Sequence, residues 1–319
     1  MHTSNFDLKT QRFHNLYPIQ IPKMTLTQSL RAVYEILYKA SYKTPKRKMP
    51  QIRPNLELFN QNSDALKFIW FGHSTVLIKM DGLKILIDPM FSTYASPIKG
   101  TFKRFQPPVI ELKELPSIDV IVISHDHYDH LDKKSIQFFK SQETHFLVPL
   151  GIKRYLINWG IAEAKITELD WHESYKIDSI NFIATPAHHF SGRSLFGHNK
   201  TLWASWVIKG KNEKLFFSGD SAYSPHFKEI GLTYGPFDIA FMENGQYDKR
   251  WLYAHMMPEQ TIQAIKDIKA KFFVPIHWSM FRLSAHHWLD PFIQSLKITE
   301  EQKVAMISPF LGEIMSVTR

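Results

Sequence analysis

Sheet layers flanked by helices, an α/β fold, are what this sequence predicts, and three observations carry the prediction. Short apolar runs rich in β-branched and aromatic residues begin at Leu66. From Asp119 onward such runs alternate with helical patterns. Of the 319 residues, 44% are hydrophobic, enough for a sizeable core.

Residues 1–65 read differently from the rest. Pro18, Pro22, Pro45, Pro50 and Pro54 break regular structure there, and one helix is predicted between them, in TLTQSLRAVYEILYKA. Leu26, Leu30, Val33, Tyr34, Leu37 and Tyr38 recur on one face, and Thr25 or Thr27 suits its cap. The basic segment SYKTPKRKMPQIRP follows. We divide the chain into a helical and irregular extension, 1–65, and a main domain, 66–319.

In that domain LKFIWF, STVLIKM and LKILIDP have strand character, and Asp81-Gly82 between the last two is a hairpin signal. Val120–Ile123 has strand length and runs through Ser124 into a cluster of titratable residues. Helices are predicted near Lys133–Lys140 and Gly151–Trp159, then strands in THFLVP, INFIATPA, LWASWVIK, KLFFSGD and FDIAFME. A helix over Pro258–Lys269, with its proline suited to the first turn, precedes the strand KFFVPIH. There is no internal repeat.

The chain has no cysteine, which excludes disulfides and thiolate metal sites. Any metal must be held by His, Asp or Glu. The N-terminus lacks the apolar stretch of a signal peptide, and no apolar run has bilayer length, so a cytoplasmic protein is expected. The formal net charge of +9 favours an anionic partner, or serves only solubility.

The densest chemistry is SHDHYDHLD, Ser124–Asp132. Packing gives no reason to crowd His125, Asp126, His127, Asp129 and His130 into one loop, whereas imidazole and carboxylate are natural zinc ligands where thiolate is absent. Further ligands are expected where other strands end. His188-His189 closes INFIATPA, Asp220 closes KLFFSGD and His277 closes KFFVPIH. The remaining histidines read as ordinary: His2, His14, His145, His198 and His226 as surface residues, His172 as structural. His73 in GHST has a chance of standing behind the ligands, and His286 or His287 of facing a pocket.

The pattern His125-x-His127-x-Asp129-His130, followed by His189, Asp220 and His277, resembles the metallo-β-lactamase superfamily. IWFGHSTVLIKMDGLKILIDPMFS, TPAHHFSGR, TLWASWVI, FFSGDSAY, YDKRWLYAHMMPEQ and PIHWSMFRLS resemble its N-acylphosphatidylethanolamine-hydrolysing phospholipase D subfamily and bacterial relatives, over about Lys67 to Pro291. The resemblance implies an αββα sandwich of two mixed β-sheets flanked by helices. It implies two zinc ions, with manganese or iron(II) tolerated by the same donors. One would be held by His125, His127 and His189, the other by Asp129, His130 and His277, with Asp220 bridging. The family pattern puts its histidine just before the aromatic, which selects His189 over His188. Asp88 would orient a ligand histidine, and His255 matches a histidine near the substrate. Asp129, Asp220 and His255 are the residues assigned to the chemistry: water activated between the metals attacks a phosphodiester, and His255 or a metal-bound water supplies a proton to the leaving oxygen. The segment MENGQYDKRW departs from the family, with Glu243, Asn244 and Gln246 more polar than usual.

Two substrate classes follow: N-acylphosphatidylethanolamine-like lipids first, and small soluble substrates such as a sugar-phosphate lactone as the alternative. A nuclease is disfavoured, because the interval between His189 and His277 leaves little room for the domain that superfamily nucleases insert. The N-terminal helix, with Lys39, Lys43, Lys46, Arg47 and Lys48 in or after it, fits peripheral contact with an anionic membrane. The reading favoured is that its apolar face packs on the sandwich and its lysines face water. A homodimer is compatible with all of this.

Overall fold

The computed structural model describes residues 5–18, 25–37, 44–63, 65–194 and 197–317, with the backbone alone at 29, 33, 36 and 37. Tyr38, Lys39 and Lys43 lie outside the described residues, as does His2. In the extension, β1 (Phe6–Asp7) and β2 (Arg12–Phe13) pair antiparallel, and α1 (Leu26–Leu37) and α2 (Leu56–Asn60) follow.

Two mixed sheets make the body. The first contains β3 (Leu66–Trp70), β4 (Val76–Met80), β5 (Leu83–Ile87), β6 (Val120–Val122), β7 (His145–Pro149) and β8 (Ile166–Leu169). The second contains β9 (Ser174–Ile177), β10 (Ile180–Thr185), β11 (Ser205–Lys209), β12 (Lys214–Phe217), β13 (Phe237–Glu243) and β14 (Ala270–Ile276). A last strand, β15 (Ile314–Val317), returns to β3, so the orders are β15-β3-β4-β5-β6-β7-β8 and β14-β13-β12-β11-β10-β9. The β4–β5 turn holds Asp81 and Gly82 at φ 48° and 87°, both positive as the tightest two-residue hairpin requires.

Alternation along the strands assigns the layers, because successive side chains point to opposite faces. Phe68, Trp70, Val76, Ile78, Ile85 and Ile87 meet Phe182, Trp206, Leu215, Phe217, Phe241 and Val274 between the sheets. On the outer face of the first sheet, Ile69, Leu77 and Ile121 pack against α3 (Lys133–Phe138) and α4 (Lys153–Asn158) through Ile136 and Leu156. On the outer face of the second, Phe216, Ala240 and Met242 pack against α5 (His226–Thr233) and α6 (Pro258–Ile268) through Phe227, Ile230, Ile262 and Ile265. The result is the expected αββα sandwich, with α7 (Asp290–Gln302) contributing Ile298 to the last cluster.

Two expectations are corrected. Leu26, Leu30 and Tyr34 of α1 face outward at 76%, 60% and 58% exposure, while Ala32 is the buried contact. The described part of the stripe read as core, at 26, 30 and 34, is therefore on the outside. His226 is buried, not a surface residue: it begins α5, with its ring nitrogens beside the hydroxyls of Ser221 and Ser224.

Candidate metal centre

The strand ends that the sequence singled out converge. Strands β12, β13 and β14 are adjacent and parallel, so their C-terminal ends share one edge of the second sheet. Asp220 and His277 follow two of them. The first sheet brings β5 and β6 to the same edge, with Asp88 after the one and the His125–His130 loop after the other. The seven residues expected as ligands all meet there. His188, which the sequence set aside, does not join them.

Two clusters form. In the first, His125 Nε2 lies 2.8 Å from His127 Nδ1, and His189 Nε2 lies 3.3 Å from that same nitrogen. In the second, His130 Nε2 and His277 Nε2 each lie 3.4 Å from Asp129 Oδ2. Asp220 stands between them. Its Oδ2 is 3.7 Å from both His125 Nε2 and His189 Nε2, and 3.1 Å from His277 Nε2; its Oδ1 is 3.2 Å from His130 Nε2. Both clusters have donor atoms close enough to hold a metal ion, the second with His73 beside it, and so does a third group that Asp220 and His277 form with Glu243 and His255.

The residues behind the clusters fix these orientations. Asp88 accepts from the backbone and hydroxyl of Ser124 at 2.8 and 2.6 Å and from His130 Nδ1 at 2.8 Å, so His130 turns its other nitrogen toward the carboxylates. Ala254 O accepts from His189 Nδ1 at 3.0 Å, which leaves Nε2 as the lone-pair nitrogen facing His127. Gly219, at φ 58°, allows the close approach of Asp220: a Cβ there would meet Ala204 O and Ser124 Cβ, each at 2.9 Å. His73, Asp88 and His277 hold φ of 52°, 42° and 64°. Such left-handed backbone costs a non-glycine residue on the order of 1–3 kcal/mol and concentrates at functional sites.

The donor set fits a cation. Nitrogens whose lone pairs are directed inward face one another and face carboxylates, and His130 Nε2 and Asp220 Oδ1 are buried without a hydrogen-bond partner. Acceptors aimed at acceptors in a buried place need positive charge between them. The titration behaviour agrees. Burial, with neighbouring imidazoles, holds His125 well below its ordinary pKa, and burial lowers His127 and His189 too. In the second cluster burial opposes charge but loses. Asp220 and Asp129 raise His130 well above the ordinary imidazole range and bring His277 up to about 10. Both carboxyls are held far below the usual carboxylate range by these imidazoles, against the opposing effect of burial.

Other residues matter here that the sequence did not assign. His73 is fully buried, and its Nε2 lies 2.8 Å from Asp129 Oδ2. Glu243, the last residue of β13, is buried and accepts from His255 Nδ1 at 2.8 Å. Arg193 clamps the ligand loop from outside, donating to the carbonyls of Asp126 and Leu131 at 2.7 Å each. Asp126, inside the motif, points away and accepts from Gly192 N at 2.7 Å. His286 is spent on structure: its Nε2 accepts from Gln246 N and its Nδ1 donates to His287 O. The GHST position was a signal for His73; a polar residue closing the apolar run FDIAFM was an equal signal for Glu243.

Two mixed sheets, helices outside, and paired histidine–carboxylate clusters at one edge define a metallohydrolase of αββα architecture. Residues 84–278 match the β-lactamase superfamily domain. The chain is 37% identical to an uncharacterised protein of Mycobacterium tuberculosis over 312 residues, 96% of this chain and 83% of that one. It is 34% identical to N-acyl-phosphatidylethanolamine-hydrolyzing phospholipase D 1 of Caenorhabditis elegans over 241 residues, 70% of this chain and 66% of that one. A metallo hydrolase from Ignicoccus hospitalis superposes with a TM-score of 0.62 at 22% identity, over 80% of this chain and 99% of that one. The chain belongs to the metallo-β-lactamase superfamily and is a metal-dependent hydrolase similar to the N-acylphosphatidylethanolamine-hydrolysing phospholipases D. Among the described residues no helix is long and apolar enough to cross a membrane.

Proposed function

We propose that this protein is a dinuclear zinc phosphodiesterase of phospholipase D type, acting on N-acylphosphatidylethanolamine-like lipids. The observation that carries the reading is Asp220, whose carboxylate reaches both histidine clusters. One ion would rest on His125, His127 and His189, the other on Asp129, His130 and His277, with Asp220 common to both. Zinc suits nitrogen-rich donors without thiolate, and manganese or iron(II) would use the same set. Two such ions supply an activated water at neutral pH and neutralise charge developing on a phosphoryl oxygen. The chain itself supplies His255, whose ring lies 5.0 Å from that of His277 and 5.3 Å from that of His189. In this reading it gives a proton to the departing alcohol oxygen as the P–O bond breaks.

The lipid substrate is supported by the C. elegans relative's name and by helix α1. Leu26, Leu30 and Tyr34 are turned outward, and Arg250 Nη1 pairs with Glu35 Oε2 at 3.0 Å, tying the helix to the loop that ends at His255. An outward apolar stripe beside basic residues suits the surface of an anionic bilayer, so the protein would work at the cytoplasmic membrane face.

Zinc-loaded protein incubated with N-acylphosphatidylethanolamine vesicles should release N-acylethanolamine and phosphatidic acid, read by mass spectrometry, and Asp220→Asn should release neither. A metal-replete protein that leaves the lipid intact would move the substrate to small soluble esters and lactones. Vesicle binding that ignores salt and lipid charge would remove the membrane contact.

A further inference from the structure

We infer that Glu243 is a positioning residue for the reaction, holding His255 through Nδ1 so that the ring presents Nε2 to the substrate's departing oxygen. This rests on the phosphodiesterase reading for the identity of that oxygen, but the placement of the ring stands on geometry alone.

Strand β13 lies between β12 and β14, so its terminal residue falls at the edge where Asp220 and His277 also sit. There the chain buries a carboxylate completely. No Lys or Arg pairs with it among the described residues; its titratable neighbours include two imidazoles, His255 Nδ1 at 2.8 Å and His277 Nδ1 at 3.8 Å, and the Asp220 carboxylate. A buried carboxylate without such partners is costly, and an apolar residue would serve packing better. Both oxygens are committed: Oε2 to His255 Nδ1, Oε1 to Met256 N at 2.7 Å. The two neighbours of His255 are thus pinned to the centre, Met256 to Glu243 and Ala254 to the ligand His189. An ionised carboxylate can only accept, so Nδ1 carries the hydrogen of the neutral ring, and Nε2, on the other side, takes up the proton that the imidazolium then gives to the departing oxygen. The His255 side chain keeps 14% exposure, enough to be reached from solvent.

Glu243→Gln tests this, because an amide puts a donor NH2 where one of the two acceptor oxygens stood, opposite either His255 Nδ1 or Met256 N. Zinc-loaded wild type and variant would be assayed on two phosphodiesters sharing one phosphoryl group, with an N-acylethanolamine or a 4-nitrophenol leaving group. The expected result is a kcat loss of about 10²-fold on the alkyl ester, with KM and zinc content held, because general acid catalysis is worth about 10²–10⁴-fold. The aryl ester, whose alcohol leaves without a proton, should be nearly unaffected. Glu243→Asp, which keeps two acceptor oxygens, should retain more alkyl-ester activity than Glu243→Gln. Equal loss on both esters overturns the proposal. Imidazole ¹⁵N spectra of the zinc-loaded proteins, with the resonance assigned by its disappearance in His255→Asn, give a readout that needs no substrate. At a pH where the ring is neutral, His255 should be the Nδ1–H tautomer in the wild type and should change in Glu243→Gln; an unchanged tautomer overturns the proposal. A changed tautomer in a protein that cleaves neither diester sinks the phosphodiesterase reading and supports the positioning role.

Discussion

The two halves of the centre hold similar residues in opposite states. His125, His127 and His189 are kept neutral by burial, whereas His130 and His277 are driven to hold protons by Asp129 and Asp220. The cause is the distribution of carboxylates. Asp220 stands 3.7 Å from the nearest nitrogens of the first half and 3.1–3.2 Å from those of the second, which also has Asp129. The first half offers lone pairs, and the second pairs its imidazoles with two carboxylates that favour their protonated form.

Asp220 is where the comparison is easiest to break. Asp220→Asn removes the charge shared by both halves and turns one oxygen into a donor aimed at imidazoles. On the proposed dinuclear zinc reading, zinc content should fall from two per chain to below one, and turnover should be lost. Elemental analysis after gel filtration checks the first, and any hydrolase assay that the wild type passes checks the second. Two retained zinc ions would mean that the halves are independent.

The difference in protonation gives the next effect. Metal binding displaces protons from its ligands. In the second half, zinc must displace those on His130 and His277, so its affinity should rise with pH by about tenfold per unit for each proton displaced. In the first half the histidines are already neutral at pH 7, and the affinity should be nearly flat there. Zinc titrations between pH 6 and 8 on His127→Ala, which leaves the second half, and on Asp129→Ala, which leaves the first, compare the two slopes. Equal slopes would remove the distinction.

A smaller effect sharpens the second half alone. His73 touches no proposed first-half ligand; its Nε2 contacts Asp129 Oδ2 at 2.8 Å, and its ring lies 4.5 Å from that of His277. Outer partners of metal ligands are worth about 10–100-fold in metal affinity. His73→Ala should weaken the second zinc by about that factor and leave the first unchanged.

The contrast between these residues also shows what the sequence made legible. Each of the seven expected ligands closes an apolar run or crowds into one loop, so its polarity stands out against its neighbours. The pattern of strands and the two outer helix layers could be followed the same way. His73 gave only a weak signal: a lone histidine between two strands has many ordinary explanations, and only the fold brings it to Asp129, 56 residues on. Glu243 was visible as a departure but had no partner until β13 was seen between β12 and β14. Strands β8, β9 and β15 went unread because they lack an unbroken apolar run, and Ser174, Tyr175 and Lys176 of β9 are exposed. Helix α7 had a readable start in Asp290-Pro291. The outward face of α1 could not be told from a packed one, since the same periodicity serves a core and a surface.

The smallest effect separates the centre from the rest of the second sheet. His226 is buried outside both clusters, and burial, with the charge of His188, lowers its pKa from 6.5 to about 3. Its neutral form is the folded form, so its contribution is complete above the unfolded pKa near 6.5 and is lost as pH falls toward 3. In that window the unfolded chain binds the extra proton, which costs stability of about 1.4 kcal/mol per pH unit. His130 and His277 act in the opposite sense: their raised values add stability to the metal-free protein below pH 6.5, and this is lost as pH rises through their folded values. Metal-free protein should therefore lose stability on acidification more gently than a count of buried histidines implies. His226→Gln should flatten the decline between pH 6.5 and 4 by about 1.4 kcal/mol per unit, measured by urea unfolding. An unchanged slope would mean that His226 already holds its proton between Ser221 and Ser224, and that the acid response belongs to the metal centre alone.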